Sequence, residues 1–369
     1  MAAYDRIVIK IGSNVLTRAD GSLDITRMSA LTDQIAWIYK QGIEVIMVTS
    51  GAVASGRSEM KGSPTLKKHL DPISSRQLFS AVGQAKLINR YYELFREHGI
   101  TCGQVLTTKE NFSTRHQYLN QKHCMEVMLD NGVIPIVNEN DTISVTELMF
   151  TDNDELSGLL AAMMDAEALI LLSNVDGVFD GNPADADSHL IPDIDVSDND
   201  STLNADSFIQ ESKSSFGRGG MTSKYATACK VANEGIAVFI ANGKRDDILV
   251  HITSTDRSVP YTRFAPSAHP VSSMKKWMAH SKSFAKGEIY VNQGAYDALM
   301  STNRASSLLP VGVTKVKGEF EKDDLVKIIS PDGKQFAIGR AGCDSTAANE
   351  MIGKQGERPL IHYNYLYIE

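Results

Sequence analysis

Six amide and carboxylate side chains form two short clusters that could bind a polar ligand. They are Asn138, Asn140, Asp141, Asp152, Asn153 and Asp154. The first cluster directly follows an apolar run of strand length, Val133–Val137. A strand that ends in this way places the cluster at the carboxyl edge of a sheet, where open α/β folds bind ligands. Asn and Asp are also common in turns, so this pattern alone leaves a binding site and a turn equally open.

Two lysines stand where a cation is locally unfavourable. Lys10 closes the apolar run Ile7–Gly12, and a buried lysine must either reach solvent or meet an anion. Lys224 falls in the first turn of a predicted helix, where a cation opposes the helix dipole. Two lysines, a glycine-rich loop and a carboxylate cluster are the groups that phosphoryl transfer requires, because cations offset the charge of the moving group and backbone amides hold the phosphates.

Three glycine-containing turns follow predicted strands, at Lys10–Asn14, Thr49–Ala52 and Gly217–Gly220. Glycine lets backbone N–H groups approach a phosphate, and a helix N-terminus adds a favourable field, although each turn alone is more often only a tight turn. No Gly-Lys pair is followed by Ser or Thr, which excludes a Walker A loop. No Gly-x-Gly-x-x-Gly follows a strand, which disfavours dinucleotide binding.

None of the nine histidines falls inside these motifs. A hydrolase or an alcohol kinase usually needs a general base beside its nucleophile. A carboxylate acceptor is already ionised at pH 7 and needs no base. The pattern therefore favours formation of an acyl phosphate.

Composition limits the remaining possibilities. With 369 residues and 42% hydrophobic residues, the chain can form two or three domains with a large core. A formal net charge of -8 argues against a protein that mainly binds nucleic acid or acidic membrane, and no apolar run could span a bilayer. The start of the chain has no long apolar stretch of a signal peptide, and the four cysteines are scattered. We therefore expect a cytoplasmic protein.

Strand and helix patterns alternate along the first two thirds of the chain, which predicts a mostly parallel open sheet with helices on both faces. The predicted strands are Ile7–Gly12, Ile43–Val48, Cys102–Leu106, Val133–Val137, Ala168–Leu172 and Ala237–Ala241. The predicted helices are Asp24–Tyr39, Ser74–Glu97, Arg115–Asp130, Glu155–Met164 and one from the Gly217–Lys224 segment to Asn233. The acidic stretch Asp180–Asp206 fits no calcium loop and is predicted as a solvated loop or β-hairpin, a candidate flap.

Periodicity fades between Thr253 and Pro270, and a domain boundary is predicted near Ser281–Gly287. Beyond it, short strands predict a small β-barrel-like domain appended to the α/β body. These strands are Glu288–Val291, Val313–Phe320, Leu325–Ile329, Gln335–Ala341 and Leu360–Tyr367.

Five motifs, in this order, closely resemble those of the glutamate 5-kinases, a branch of the amino acid kinase family. They are Val8–Ser13, Val48–Ala52, Ile136–Asp141, Asp152–Asp154, and Gly219-Gly220-Met221 with Lys224. The tail resembles the PUA domain that follows in bacterial members. The resemblance divides the chain into an amino acid kinase domain at 1–256, a linker at 257–283 and a PUA-like domain at 284–369.

The resemblance implies ATP-dependent phosphorylation, with Mg²⁺, of the γ-carboxylate of L-glutamate to L-glutamyl 5-phosphate, the first step of proline biosynthesis. It implies that Lys10 and Lys224 stabilise the transferring phosphoryl group and that Asp154 positions them; no residue is assigned as a metal ligand. The implied glutamate-binding residues are Ser50, Asn138, Asp141, Asp152 and Asn153. The implied nucleotide-binding residues are Lys10, Ser173, Asn174, Arg218, Gly219, Gly220, Met221, Thr222, Ser223 and Lys224.

The chain departs from the family pattern at several positions. Arg218 stands where the family usually has Thr, and Thr151 where Gly commonly precedes Asp-Asn-Asp. Ser173-Asn174 replaces the frequent Thr-Asp of the nucleotide loop, and Cys343-Asp344-Ser345 replaces Tyr-Asn-Ser in the tail. The glutamate site is therefore better supported than the nucleotide contacts.

The family also implies partners: proline as feedback inhibitor, a homodimer or homotetramer, and channelling of the product to glutamyl phosphate reductase. The segment from Phe284 to Glu369 carries ten Lys and Arg against eleven Asp and Glu, so its charge disfavours nucleic acid and favours a structural or regulatory tail. Two alternatives stay open: a family member acting on aspartate, N-acetylglutamate, carbamate or a nucleoside monophosphate, and a non-catalytic RNA-binding or regulatory protein.

Overall fold

A computed structural model of the protein describes residues 4–64, 70–112, 115–144, 152–185, 187–196, 220–268, 285–301 and 306–368. The chain divides into two compact units. The first comprises Met1–Lys109 and Lys122–Pro270, and the second comprises Glu110–Gln121 and Val271–Glu369.

An eight-stranded sheet forms the centre of the first unit, in the order β3-β4-β2-β1-β5-β7-β8-β6. Its strands are β1 (Arg6–Ile11), β2 (Glu44–Val48), β3 (Thr101–Thr107), β4 (Val133–Glu139), β5 (Ala168–Ser173), β6 (Asp193–Asp195), β7 (Ala237–Asn242) and β8 (Thr262–Ala265). All neighbours pair in parallel except β7 and β8. The predicted mostly parallel open sheet is thus confirmed.

The chain order of the strands reverses at the centre of the sheet. β2, β4 and β3 lie on one side of β1, whereas β5, β7, β8 and β6 lie on the other. Five of the six β1 residues and all six β5 residues are buried, as expected for strands covered by helices on both faces. A ligand crevice is expected outside the carboxyl ends of these two strands, where Lys10 and Ser173 lie.

Helices cover the sheet. In the first unit they are α1 (Ser13–Leu16), α2 (Ile25–Lys40), α3 (Ala52–Met60), α4 (Pro72–Glu97), α5 (Arg115–Asp130, whose residues up to Gln121 are assigned to the second unit), α6 (Asn153–Met163), α7 (Met221–Asn233) and α8 (Ile248–Thr253). Asp71 caps α4 by accepting hydrogen bonds from the N–H groups of Ile73 and Ser74. Gly51 precedes α3 with φ 99°, a left-handed conformation that favours glycine.

The second unit contains a separate five-stranded sheet in the order β10-β9-β11-β12-β13. The strands are β9 (Gly287–Val291), β10 (Val313–Lys317), β11 (Leu325–Ile329), β12 (Gln335–Arg340) and β13 (Leu366–Ile368), and the helices are α9 (Gln293–Met300) and α10 (Ser345–Met351). A core of its own includes Ile289, Val326 and Ile361. This agrees with a small β domain after the α/β body.

Several elements were not predicted. Helix α3 has the sequence AVASGRSEM, which carries too few apolar residues to give a helical period. Strand β8 is only four residues long and lies between Pro260 and Pro266, where periodicity fades and where the linker was placed. Helices α8 and α10 were not predicted either, because six and seven residues are too few to show a helical period. The predicted β-strand at Leu360–Tyr367 is confined to Leu366–Ile368, because 363–365 form a 3₁₀ turn.

The acidic stretch is described only up to residue 196. Leu190 forms an isolated antiparallel bridge with Phe179, which directly precedes the stretch, and β6 pairs in parallel with β8. This matches a hairpin followed by a short edge strand. The rest of the predicted flap (residues 186 and 197–206) and most of the predicted boundary near 281–287 lie outside the described residues.

Candidate active site

Three buried charged side chains from distant parts of the chain meet at the carboxyl edge of the sheet. Lys10 Nζ, near the end of β1, lies 2.5 Å from Asp154 Oδ1 as an ion pair without hydrogen-bond geometry. Lys224 Nζ, in the first turn of α7, donates to Asp154 Oδ2 at 3.0 Å. Asp154 is fully buried, and the two lysines are 4% and 8% exposed. Each carboxylate oxygen therefore contacts one ammonium group.

The electrostatics of this triad favour an anionic ligand. Burial alone would raise the pKa of Asp154, but Lys10 and Lys224 outweigh it and hold that pKa below its ordinary value. The carboxylate is therefore ionised, and it contacts both lysines directly. Two cationic side chains close together at the carboxyl edge of the sheet can stabilise an arriving phosphate.

Asp152 links helix α6 to helix α7. Its Oδ1 accepts from the N–H groups of Asp154 at 2.8 Å and Glu155 at 3.0 Å, which makes it the N-cap of α6. Its Oδ2 accepts a hydrogen bond from Ser223 Oγ. Burial and the neighbouring Asp154 charge raise the pKa of Asp152. Since both oxygens are already paired, Asp152 positions the first turns of the two helices.

A network of amides joins three of the residues implied in glutamate binding. Asn153 Nδ2 lies within donating distance of Thr49 O at 2.8 Å, Asn138 Oδ1 at 2.9 Å and Ser50 Oγ at 3.1 Å. Asn138 Nδ2 in turn donates to Gln84 Oε1 at 2.8 Å. The ends of β2 and β4 and the start of α6 are thus joined around one polar pocket wall.

An acidic pair, Glu139 and Asp141, lies at the end of β4 and is held by an arginine that the sequence did not single out. Arg76 of α4 donates from Nε to Asp141 Oδ1 at 2.8 Å and from Nη2 to Glu139 Oε2 at 3.2 Å. Ser144 Oγ donates to Glu139 Oε1 at 3.0 Å. Glu139 and Asp141 are only 4% and 7% exposed. The pair lies beside the amide network, because Glu139 directly follows Asn138 in β4.

Sequence reasoning missed three residues of this site: Arg76, Gln84 and Glu139. Glu139 had a usable signal, since it stands inside the Asn138–Asp141 motif. Arg76 and Gln84 lie within a long amphipathic helix, where polar residues at the edge of the apolar face are ordinary. Their partners follow more than fifty residues later, so only the fold reveals them.

The residues implied in nucleotide binding lie partly in the same region. Ser173 ends β5 next to β1, and its Oγ donates to Asn174 Oδ1 at 3.4 Å. Gly220 precedes α7, and the first turn of this helix offers backbone N–H groups to phosphate. That turn contains Met221, Thr222, Ser223 and Lys224. Arg218 and Gly219 lie outside the described residues.

Two features are absent from the residues that the structure describes. None of their helices is long and apolar enough to cross a membrane. No group of three or more His, Cys, Asp or Glu side chains in the described ranges is arranged to hold a metal ion.

Comparison with known proteins agrees with this geometry. Residues 5–242 match the amino acid kinase family, and residues 287–362 match the PUA domain. A glutamate 5-kinase from Bacteroides thetaiotaomicron is 62% identical over 366 residues, with 99% of each chain covered. One from Chlorobaculum tepidum is 46% identical over 369 residues, with 99% of this chain and 98% of that protein covered.

A solved structure supports the fold alone. The carbamate kinase from Giardia lamblia bound to AMP-PNP superposes with a TM-score of 0.53 at 17% identity, over 72% of this chain and 100% of that one. Fold, motif order and identity over nearly the whole length agree. The chain belongs to the amino acid kinase family, in its branch of glutamate 5-kinases.

Proposed function

We propose that this protein transfers the γ-phosphoryl group of ATP to the γ-carboxylate of L-glutamate, giving L-glutamyl 5-phosphate and ADP as the first step of proline biosynthesis. The observation that carries the proposal is the buried Lys10–Asp154–Lys224 triad, whose Asp154 directly follows Asn153 of the amide network along the chain. Identity to glutamate 5-kinases over the whole chain supports the choice of substrate.

The triad supplies electrostatic catalysis. A glutamate γ-carboxylate oxygen attacks the γ-phosphorus, and the bond from that phosphorus to the β,γ-bridging oxygen breaks. Both reactants are anions, so Lys10 and Lys224 offset their repulsion and the charge that develops on the transferring group. Asp154 keeps both ammonium groups in place. No general base is needed, because a carboxylate with a pKa of about 4.3 is ionised at pH 7.

The pocket wall has distinct tasks in this proposal. Ser50, Asn138 and Asn153 orient the amino acid through hydroxyl and amide groups, and Asp141 accepts its α-ammonium group. Asp152 acts on the substrate through the helix starts that it joins. Holding the acceptor carboxylate in line with the phosphoryl group removes much of the entropic cost of reaction.

ATP binds, in this proposal, across the carboxyl ends of β1 and β5. The Ser173-Asn174 turn and the segment from Arg218 to Lys224 hold the nucleotide, with the first turn of α7 directed at the phosphates. The two aspartates nearest the phosphates have their oxygens paired with lysines, backbone N–H groups and Ser223. This donor set does not fit a resident Mg²⁺, and we infer that the ion arrives coordinated by the triphosphate and water, as Mg²⁺ often does.

The finer family expectations are part of the same proposal. They are feedback inhibition by proline, assembly into a dimer or tetramer, and location in the cytoplasm. An acyl phosphate is readily hydrolysed, which gives a reason for direct delivery of the product to glutamyl phosphate reductase. The balanced charge of the PUA domain favours a structural or regulatory role for it over nucleic-acid binding.

Hydroxylamine trapping tests the reaction and its substrate together. The protein is incubated with ATP, Mg²⁺, hydroxylamine and one acceptor, and hydroxamate and ADP are measured. We expect glutamate to give both products, with a kcat/KM at least about a hundredfold above those of aspartate and N-acetylglutamate, because a polar pocket rejects ligands that leave its groups unpaired. ADP release with carbamate or a nucleoside monophosphate, and none with glutamate, would assign another family activity. No turnover with any acceptor would contradict an enzymatic role.

A further inference from the structure

The acidic pair at the end of β4 has one described cationic partner. Glu139 and Asp141 carry two buried carboxylates, and the guanidinium of Arg76 contacts both. The two carboxylates thus share the guanidinium of Arg76. A ligand that brings an ammonium group would add a second charge-assisted contact to this pair, and a ligand without that charge would not.

Asp141 has one oxygen available. Both contacts from Arg76 to Asp141, through Nε and Nη2, go to Oδ1. Among the described residues, nothing donates a hydrogen bond to Asp141 Oδ2. A carboxylate oxygen without a partner, on a side chain only 7% exposed, is an incomplete site for a hydrogen-bond donor.

Helix α4 fixes Arg76 relative to this oxygen. Asp71 caps the helix one turn before Arg76, so the start of α4 is well ordered by hydrogen bonds. The next residue, Gln77, donates from Nε2 to Thr142 O at 2.8 Å, directly after Asp141. Helix α4 therefore contacts the segment that follows β4 through two adjacent residues.

Building on the proposed function, we infer that Arg76 is a positioning residue that orients Asp141 to receive the α-ammonium group of the amino acid, and thereby sets the preference for substrates with a free amine. The guanidinium occupies Oδ1, which leaves Oδ2 to receive the ammonium group. It also offsets the repulsion between Glu139 and Asp141, since it contacts both.

Kinetic measurement on Arg76→Met tests this role. We expect KM for glutamate to rise about tenfold or more, which is the effect expected when binding loses one charge-assisted hydrogen bond. We expect kcat and KM for ATP to change less than about threefold, because the triad and the nucleotide region are untouched. Arg76→Lys keeps the charge but loses the two-point geometry, and should recover part of the lost affinity.

Arg90→Met is the matched control. Arg90 lies on the same helix, pairs with Glu93 at 2.9 Å and is distant in sequence from the Arg76 contacts. The Arg90→Met variant loses the same charge from α4. Its KM for glutamate should nevertheless stay within about twofold of the KM of the unmodified protein. An equal rise in KM for Arg76→Met and Arg90→Met would overturn the inference, since the effect would then come from the loss of any positive charge on α4.

A double-mutant cycle with Asp141→Asn separates positioning from direct contact with substrate. If Arg76 acts through Asp141, Arg76→Met should change KM less than about threefold once Asp141 is already Asn. A full tenfold effect in that background would mean that Arg76 binds the amino acid itself, for example its α-carboxylate. A lower KM for Arg76→Met than for the unmodified protein would mean that Arg76 competes with the ammonium group. Either result overturns the inference.

The cycle is informative only if the unmodified protein phosphorylates glutamate. Absence of glutamyl hydroxamate in the unmodified protein refutes the proposed function, whereas normal turnover with an unchanged KM in Arg76→Met and Arg76→Lys refutes only the role of Arg76. Thermal unfolding of each variant accompanies the kinetics. If Arg76→Met unfolds, Arg76→Lys carries the test alone, and an unchanged KM in that variant refutes the inference.

Discussion

At the scale of single residues, Asp154 is the group on which the site depends. It is fully buried, and each of its oxygens contacts the ammonium group of a lysine that is itself at least nine-tenths buried. An isolated charge in such a place is strongly unfavourable, so each member of the triad depends on the others. The same charges that the proposed mechanism uses for catalysis therefore also contribute to folding.

Asp154→Asn should reduce stability as well as activity. Two buried ammonium groups would lose their shared counter-charge, so we expect the free energy of unfolding at pH 7 to fall by about 3–5 kcal/mol. Urea unfolding measures this change. Asp165→Asn is the control, because Asp165 pairs with Lys122 at the surface with 53% of its side chain exposed, and its loss should cost less than about 1 kcal/mol.

The stability difference between the unmodified protein and Asp154→Asn depends on pH with a definite sign. The folded protein holds the pKa of Asp154 below its ordinary value of 3.8. The stabilisation is therefore fully present above that value and is lost as pH falls through the lower, folded-state pKa. The difference between the unmodified protein and Asp154→Asn should stay constant from pH 7 to about pH 5. A difference that disappears within that range would contradict an ionised, lysine-paired carboxylate.

At the scale of elements, helix α4 supports the side of the site that we propose binds glutamate. Along its length it presents Arg76 to the acidic pair, Gln84 to Asn138 and the hydroxyl of Tyr91 to Thr49 Oγ1 at 3.1 Å. Burial raises the pKa of Tyr91, which keeps that hydroxyl neutral. Helix α4 also packs closely on α3, whose start follows Ser50. The pocket wall thus depends on how these two helices cross.

Gly83 makes that crossing possible. A Cβ atom on Gly83 would lie 1.8 Å from Ala52 O and 2.4 Å from Gly56 N, both of which are rigid backbone atoms. Gly83→Ala would gain up to about 1 kcal/mol of helix propensity, but separating the helices should cost more. We expect a net loss of about 1–3 kcal/mol in the free energy of unfolding and a higher KM for glutamate. Ala81→Ser, at an exposed position of the same helix, should change neither. A stabilised Gly83→Ala would refute this packing.

At the scale of the whole molecule, the site exists only because the sheet brings distant segments together. Lys10 lies on β1, Asp154 on α6, and Lys224 seventy residues later on α7. Hydrophobic periodicity was enough to predict the strands and long helices, because buried parallel strands and amphipathic helices have distinct apolar patterns. The positions of Lys10 and Lys224 were informative, because a lysine at the end of a buried strand or in the first turn of a helix is locally unfavourable.

Other features could not be predicted because they arise from tertiary contacts. Helix α3 lacks an apolar period because its backbone at Gly56 packs directly on the backbone of α4, where other helices would use apolar side chains. Strand β8 is a short antiparallel addition whose pairing with β7 leaves no local signature. The contacts of Arg76 and Gln84 join residues that are more than fifty positions apart. Polar residues on a helix acquire a role only when the partner strand is in place.

The convergence of Lys10 and Lys224 on one phosphoryl group is the central claim, and the kcat of Lys224→Ala tests it most directly. Lys230→Ala, near the other end of α7, is the control and should keep nearly normal turnover. With glutamate and ATP saturating, we predict that Lys224→Ala lowers kcat about a hundredfold or more, the usual effect of removing one group that stabilises the transition state. A folded Lys224→Ala variant whose kcat stays within about threefold of the unmodified protein would contradict the account.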